Sequence, residues 1–522
     1  MEPSATAYAS LQSSLHSALE SLPIDKTSLL PYGLLLLPAF AVLYSASKPA
    51  SKFPEVNPKN AFELTDGRRV KEFMANSMEL LKTWEKRVGG SPYRLFCENG
   101  LTTMLPFNEV ENMRSDKRFD FSQVASDDTH GYLPGFEAFG NDPTIIKVVN
   151  KHLTKALTKI TAPLSHEAEL VIQQTLGDST EWELHNAPLA IMKIVSRMSA
   201  RVFMGEELCR DDKWNVAAAD YTRKLFSSTT LLSEKPRWMR PWIHWFMPEI
   251  QEVRTAQAAA IEAFQPHLDR REKEKAAALA RGEDYRVDDS IEWFAKEGST
   301  HPPAIDQTRL TVVAIHTTSD LLTEAMLNIA MHPELFQPLR EEVVSVLSTH
   351  GLKKTGLYEL QLMDAVLKES QRLKPVLLSW KRILIEDVTL PSGTALKKGE
   401  KVAVSLLHMW DDEQWKDAAT FDPYRFIRMR ESSNEANASH LVSTSPSHMG
   451  FGHGVHACPG RFFASNELKI ALCHLILKYD WKLPGAKRPD PVVIGMQYMA
   501  NPESNLLFRR RKEELDFSAL ER

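Results

Sequence analysis

Along most of the chain apolar residues recur at three- and four-residue spacing, the period of helices that pack by one face. The pattern is extended over residues 253–279, which are rich in Ala, Glu, Lys and Gln. There Ala256, Ala259, Ala260, Ala263 and Phe264 share a stripe and predict a long amphipathic helix. The charged run 270–275 reads as its solvated face. Residues 304–331 contain neither Pro nor Gly and are unusually apolar, as befits a helix buried through the middle of a large domain. His332-Pro333-Glu334 ends that helix and starts the next, with Pro333 suited to a first helical turn. Strand signals are few: residues 381–385, and 401–405 after the turn at Pro391-Ser392-Gly393. The prediction is a mainly α fold with a small β portion. Past residue 60 there is no internal repeat and no low-complexity tract.

One stretch departs from this amphipathic pattern. Residues 27–47 carry no charge and are dominated by leucine. Twenty-one residues of helix span roughly 30 Å, the thickness of a bilayer's hydrocarbon core. A transmembrane anchor is predicted there; the alternative is a buried core helix, because Pro31, Gly33 and Pro38 interrupt the stretch. A cleaved signal peptide fits poorly, since 26 residues precede the stretch and Lys26 is their only basic one. Lys48 and Lys52 follow it, whereas Glu2, Glu20 and Asp25 precede it, so the positive-inside bias puts the downstream chain in the cytoplasm. Residues 48–60 bear Pro49, Pro54 and Pro58 and form a stiff hinge. The expected organisation is segment 1–26 across the membrane, anchor 27–47, hinge 48–60 and one large domain, 61–522.

Composition narrows the function. With 43% hydrophobic and 25% charged residues in 522, the chain is neither disordered nor fibrous. Sixty-three basic against 68 acidic residues disfavour nucleic-acid binding driven by charge. Four cysteines cannot staple so long a chain; they read as thiols or ligands. Cys97, Cys209 and Cys473 have the setting of small buried residues, but Cys458 lies in Phe451-Gly-His-Gly454-Val-His456-Ala-Cys458-Pro-Gly460-Arg461. Its glycines let the backbone approach a flat ligand. Pro459 fits the first position of a helix running through Ile476, which places Cys458 at the N-cap, where the helix dipole favours thiolate. A thiolate presented in this way is a ready axial ligand for haem iron.

Phe451, Gly454, His456, Cys458 and Gly460 make this loop resemble the haem loop of the cytochrome P-450 family, F-x-x-G-x-[RH]-x-C-x-G. Three further motifs follow the family's order. Glu369-Ser-Gln-Arg372, with Arg425 from Phe421-Asp-Pro-Tyr-Arg425-Phe, is similar to its buried ion network, an architectural role. Arg382 stands where the family sets an arginine against a haem propionate, with His456 as a second neutralising group. Val313-Ala314-Ile-His316-Thr317-Thr318 resembles the central-helix pattern [AG]-G-x-[DE]-T-T and departs from it twice: Ala314 replaces Gly and His316 replaces the acid. Ala314 keeps the helix thin beside a planar cofactor. The Thr317 hydroxyl is expected to turn to the carbonyl one turn back, leaving room for dioxygen. His316 is a candidate proton carrier in place of the acid. The family's W-x-x-x-R propionate contact has no counterpart near residue 150, where Lys151 and His152 are the nearest substitutes.

The resemblance implies a cytochrome P-450 fold with an N-terminal transmembrane helix, haem b on Cys458, and NADPH-driven monooxygenation through a partner reductase at the endoplasmic reticulum membrane. The catalytic domain would face the cytoplasm. The wording of the motifs is similar to filamentous-fungal enzymes of secondary metabolism. That implies a lipophilic terpenoid, meroterpenoid or polyketide-derived substrate. A reductase-independent isomerase or dehydratase and a non-catalytic haem carrier are the rival readings. Residues 127–132 fall at a substrate-facing position. Residues 238–246 read either as a membrane-interface contact or as a buried aromatic cluster, and Lys469, Lys478, Lys482, Lys487 and Arg488 either as a reductase-facing surface or as scattered charges.

Overall fold

The unbroken apolar segment forms the helix Pro303–Met331 in the computed structural model, which describes residues 52–60, 63, 65–517 and 520. Pro303 sits in the first turn, where a missing N–H costs nothing. His332, driven out of helical geometry by the proline behind it, ends the helix. Twenty of its 29 residues are buried, so it runs through the core and not along the surface. It packs on the helices Ala187–Cys209, Gln361–Leu373 and Arg461–Lys478. Fourteen of the 18 residues of Arg461–Lys478 are also buried. Two polar groups carried inward on that helix are partnered: Glu467 accepts from the Ser199 hydroxyl at 2.7 Å, and His474 bonds Ser165 at 2.8 Å.

The predicted amphipathic helix is Pro248–Ala280 and packs on Asp212–Ser233. Its buried stripe is Ile250, Val253, Ala256, Ala260 and Phe264, while Ala259 faces out. Residues 272–275 are solvated as expected, but Arg271 turns in to Asp289 at 2.6 Å. The two strand signals become Ser379–Leu384 and Lys401–Ser405, paired antiparallel at the centre of a five-stranded sheet. The sheet order is Tyr93–Cys97, Gly100–Leu105, Lys401–Ser405, Ser379–Leu384, Phe119–Asp120. It brings Ser379–Leu384 next to Phe119–Asp120, just past the Cys458 loop's neighbour Arg114 in the chain.

The mainly α prediction with a small β portion therefore holds. The described chain belongs almost wholly to one unit, Phe53–Pro58 with Asp66–Arg522. The anchor expected over 27–47, the segment 1–26 and the start of the hinge lie outside the described residues. Among the described residues no helix is long and apolar enough to cross a membrane.

Candidate active site

Cys458 is presented by a loop closed on itself. Its N–H donates to the Phe451 carbonyl at 2.8 Å, Ala457 N–H to Gly454 at 3.0 Å, and Val455 N–H to the Arg114 carbonyl at 2.9 Å. Gly454 has φ +76°, and a Cβ there would overlap the Arg114 carbonyl, so only glycine fits. Gly460, by contrast, has an ordinary helical φ, and a Cβ there would sit 3.9 Å from the Cys458 sulfur. The helix starts at Arg461 with Gly460 as its N-cap, which corrects the expectation that Cys458 caps it. Pro459 and Gly460 form a turn, so Cys458 lies two residues ahead of the cap. The expected preference for thiolate does not survive in the chain alone, where the net direction is toward thiol. Burial pushes the thiol pKa up, while backbone N–H groups of Gly460 and Arg461 and the Arg461 charge act in the opposite sense. Arg461 secures the geometry by donating to the Cys458 carbonyl at 2.8 Å and to Val442 at 3.1 Å. Cys97, Cys209 and Cys473 are buried free thiols pushed up by burial, Cys209 to about 11.

Arg382 is 2% exposed and makes one hydrogen bond, from Nη1 to the Lys381 carbonyl at 2.7 Å. Among the described residues its Nη2 is buried without a partner, as is the indole Nε1 of Trp380, over whose ring the guanidinium lies at 4.1 Å. Burial pushes the Arg382 pKa down to about 9, and only the nearby Asp120 charge opposes this. The half-buried His456 is held below its usual range by burial and by the Arg382 charge. A buried cation with orphaned donors is costly unless an anion joins it. The carboxylates of a porphyrin are such anions, so the residues present fit haem: Cys458 for the iron, Arg382, Trp380 and His456 for the propionates.

On the central helix, Val313, His316 and Thr317 are exposed in the midst of buried neighbours. Ala314 between them is partly buried against the core. Thr317 Oγ1 donates to the Val313 carbonyl at 3.3 Å, the back-bond expected from sequence. His316 packs edge-on against Phe226 at 5.1 Å, and Phe226 against Phe139 at 5.4 Å. Although the ring is accessible, the protein packed around it desolvates it and holds its pKa below the usual imidazole range, which favours the neutral form. The carboxylates of this helix are all engaged: Asp306 with Arg309 at 3.2 Å, Asp320 with Lys374 and the Ala500 N–H, Glu324 with Arg488 at 2.6 Å.

Glu369, Arg372 and Arg425 meet as expected. Arg372 grips both Glu369 oxygens at 2.8 Å with neither side chain exposed, and Arg425 Nε reaches Glu369 Oε1 at 3.2 Å. The remaining donors find carbonyls: Arg372 Nη1 to Met409 at 2.7 Å, Arg425 Nη1 to Lys416 at 2.5 Å and Nη2 to Asp417 at 3.2 Å. A network satisfied to this degree repays its desolvation, and it ties the helix Gln361–Leu373 to the segment 409–425 ahead of the Cys458 loop.

Other expectations fare differently. Lys151 and His152 both bind Glu297, at 2.9 and 3.0 Å, and His152 stacks on Trp293, so neither substitutes for a propionate contact. Lys469 is buried on Asp364 at 2.7 Å, Lys478 pairs with Glu169, and Arg488 with Glu324; the five cations form no open basic face. Trp238, Trp242, Trp245 and Phe246 are 52–82% exposed, which excludes the buried-cluster reading. Asp127 joins Lys401 at 2.5 Å and also Arg237, tying residues 127–132 to that aromatic segment. Sequence reasoning missed Trp380, Phe226 and Phe139. The first had a signal, an indole two residues before the propionate arginine; the other two lie in ordinary helical patterns.

A family model for Cytochrome P-450 matches residues 147–508. The cytochrome P-450 monooxygenase eqxH of Fusarium heterosporum is 49% identical over 494 residues, covering 94% of this chain and 96% of that protein. The monooxygenase hepE of Aspergillus oryzae is 39% identical over 88% of this chain and 86% of its own. TRI1 of Fusarium sporotrichioides is 36% identical over 96% and 93%.

Proposed function

The chain belongs to the cytochrome P-450 family and is an oxidoreductase of its monooxygenase class, and from that premise we propose that it inserts one oxygen atom of dioxygen into a lipophilic secondary-metabolite skeleton. The skeleton is terpenoid, meroterpenoid or polyketide-derived, and the electrons come from NADPH through a partner reductase. The observation that carries this reading is the pairing of a loop-held Cys458 with the orphaned donors of Arg382 and Trp380, since together they would offer a sulfur ligand to haem iron and an anchor for two carboxylates. Haem b, when bound there, supplies dioxygen activation, favoured by the electron push of a thiolate ligand.

The chain's own residues do the rest. Arg382, Trp380 and His456 orient the cofactor by its carboxylates. Thr317, with its proton committed to Val313, keeps oxygen lone pairs that would accept a hydrogen bond from a water beside the cofactor. Ala314 and Val313 give the reacting carbon an apolar surround. The anchor 27–47 holds the domain on the cytoplasmic face of the endoplasmic reticulum membrane, and the exposed Trp238, Trp242, Trp245 and Phe246, beside Arg237 and Arg240, rest in the headgroup region through which a lipophilic substrate enters.

Microsomes carrying the protein with and without reductase test the reading. Conversion of terpenoid or polyketide substrates that requires NADPH and reductase supports it. Conversion without them points to a rearranging isomerase or dehydratase, and a normal spectrum with no conversion across such a set points to haem carriage.

A further inference from the structure

Around His316 three separate segments meet: Phe139 from the 3-10 turn Glu137–Phe139, Phe226 from the helix Asp212–Ser233, and His316 itself, with Val313 one turn earlier, on the central helix. Phe139 packs against Phe226 and Phe226 against the His316 ring, so the aromatic contacts fix the imidazole's orientation. Of the side chains in this cluster, Phe139, Phe226, Val313 and His316, only His316 is polar. Among the described residues the ring makes no hydrogen bond, although it is accessible; Asp320, four positions on, and the helix's other carboxylates, Asp306 and Glu324, are all paired elsewhere. A neutral imidazole offers one N–H donor and one nitrogen acceptor, and here both lie free over an otherwise greasy surface.

We propose that His316 is a substrate-binding residue: it hydrogen-bonds a hydroxyl or carbonyl oxygen already present on the lipophilic skeleton and thereby selects which carbon faces the reaction centre. This rests on the monooxygenase reading and specifies its substrate class further. The skeleton arrives already oxygenated, so a hydroxylating or ketone-forming step, or a cyclisation that retains an oxygen, precedes this one. The physical reason for selectivity is the asymmetry of buried polar sites. A pocket with one polar group in an apolar wall discriminates strongly against an analogue that leaves this group unpaired, and only weakly among analogues that differ by a methylene. Replacing the family's acid by histidine at this position exchanges a charged, water-demanding group for a neutral one that tolerates contact with Phe226.

The experiment uses the full-length haem-loaded protein and probes that bind any haem iron: 4-phenylimidazole and its three ring-hydroxylated isomers, titrated by the shift of the Soret band. At least one hydroxylated isomer is expected to bind about tenfold tighter than the parent, the preference falling within twofold in His316→Leu and partly returning in His316→Gln. His316→Phe serves as a second apolar replacement that keeps a ring against Phe226. The reduced carbon-monoxide band checks each variant for an intact thiolate site. No hydroxyl preference in the wild type, or a preference that survives both apolar variants, overturns the proposal. So does an unchanged preference with uncoupled reductant use, which would make His316 a proton carrier. Loss of the thiolate band in the wild type would instead overturn the monooxygenase reading beneath it.

Discussion

Arg382→Met should move the haem-free and haem-loaded protein in opposite directions. The side chain is buried, its Nη2 has no partner among the described residues, and burial pushes its pKa down to about 9. Relief of one orphaned charged donor yields about 1–3 kcal/mol. Methionine fills the stem's volume and keeps its contact with Trp380. The haem-free chain should therefore gain about 1–3 kcal/mol in urea unfolding. In the loaded protein the same change removes a buried, hydrogen-bonded charge pair, worth about 2–5 kcal/mol, which slows nothing and speeds haem loss by about 30-fold to several-thousand-fold. Haem transfer to an excess of apo-globin, followed in the Soret region, measures that loss. A destabilised haem-free variant, or one that keeps haem as tightly as the wild type, would refute the assignment of the orphaned donors to the propionates.

Glu369→Gln leaves two buried guanidinium groups facing a neutral amide and should cost about 3–5 kcal/mol in urea unfolding, whereas Asp284→Asn, which breaks an exposed pair with Arg286, should cost under about 1 kcal/mol. Glu467, buried beside Ser199, has its pKa pushed by burial up to about 8. The folded state thus holds a proton that the unfolded state releases near 4.5, so stability falls as pH rises between those values, by about 2–4 kcal/mol. Glu467→Gln should flatten the profile between pH 5.5 and 8, and an unchanged slope would contradict that. Thr317→Ala should divert reductant from product to peroxide or water, lowering the coupled fraction about tenfold or more at similar NADPH consumption; unchanged coupling would remove Thr317 from the reaction.

What could be read from the chain followed from fixed spacing. Phe451 to Gly460, Glu369 with Arg372, and the proline-bounded central helix are local patterns, and the folded chain keeps them: the central helix begins one residue earlier than its apolar run. Arg425 was legible only because its motif carries it, since 53 residues separate it from Arg372 and no period connects the two. The Cys458 cap failed for a local reason: a proline fits a helix's first turn and a preceding turn equally well, and Gly460 decided for the turn. Lys469 and Lys478 read from sequence as a reductase-facing surface or scattered charges because lysines default to the surface, yet their helix is buried on nearly all sides and they meet Asp364 and Glu169. Phe139 and Phe226 were invisible since their significance lies in a contact across 87 residues. The orphaned nitrogens of Arg382 and Trp380 are likewise properties of the packed state, where the absence of a partner in a dry place is what points to a ligand.

The most direct test is the absorbance of the ferrous carbon-monoxide complex of the full-length protein in microsomes, wild type against Cys458→Ser. The wild type should show the red-shifted Soret band of a thiolate-ligated haem, and the variant should lose it while Cys473→Ser keeps it. A thiolate band that survives Cys458→Ser, or a wild type that never shows one, would contradict the assignment of Cys458 as the axial ligand and the monooxygenase account built on it.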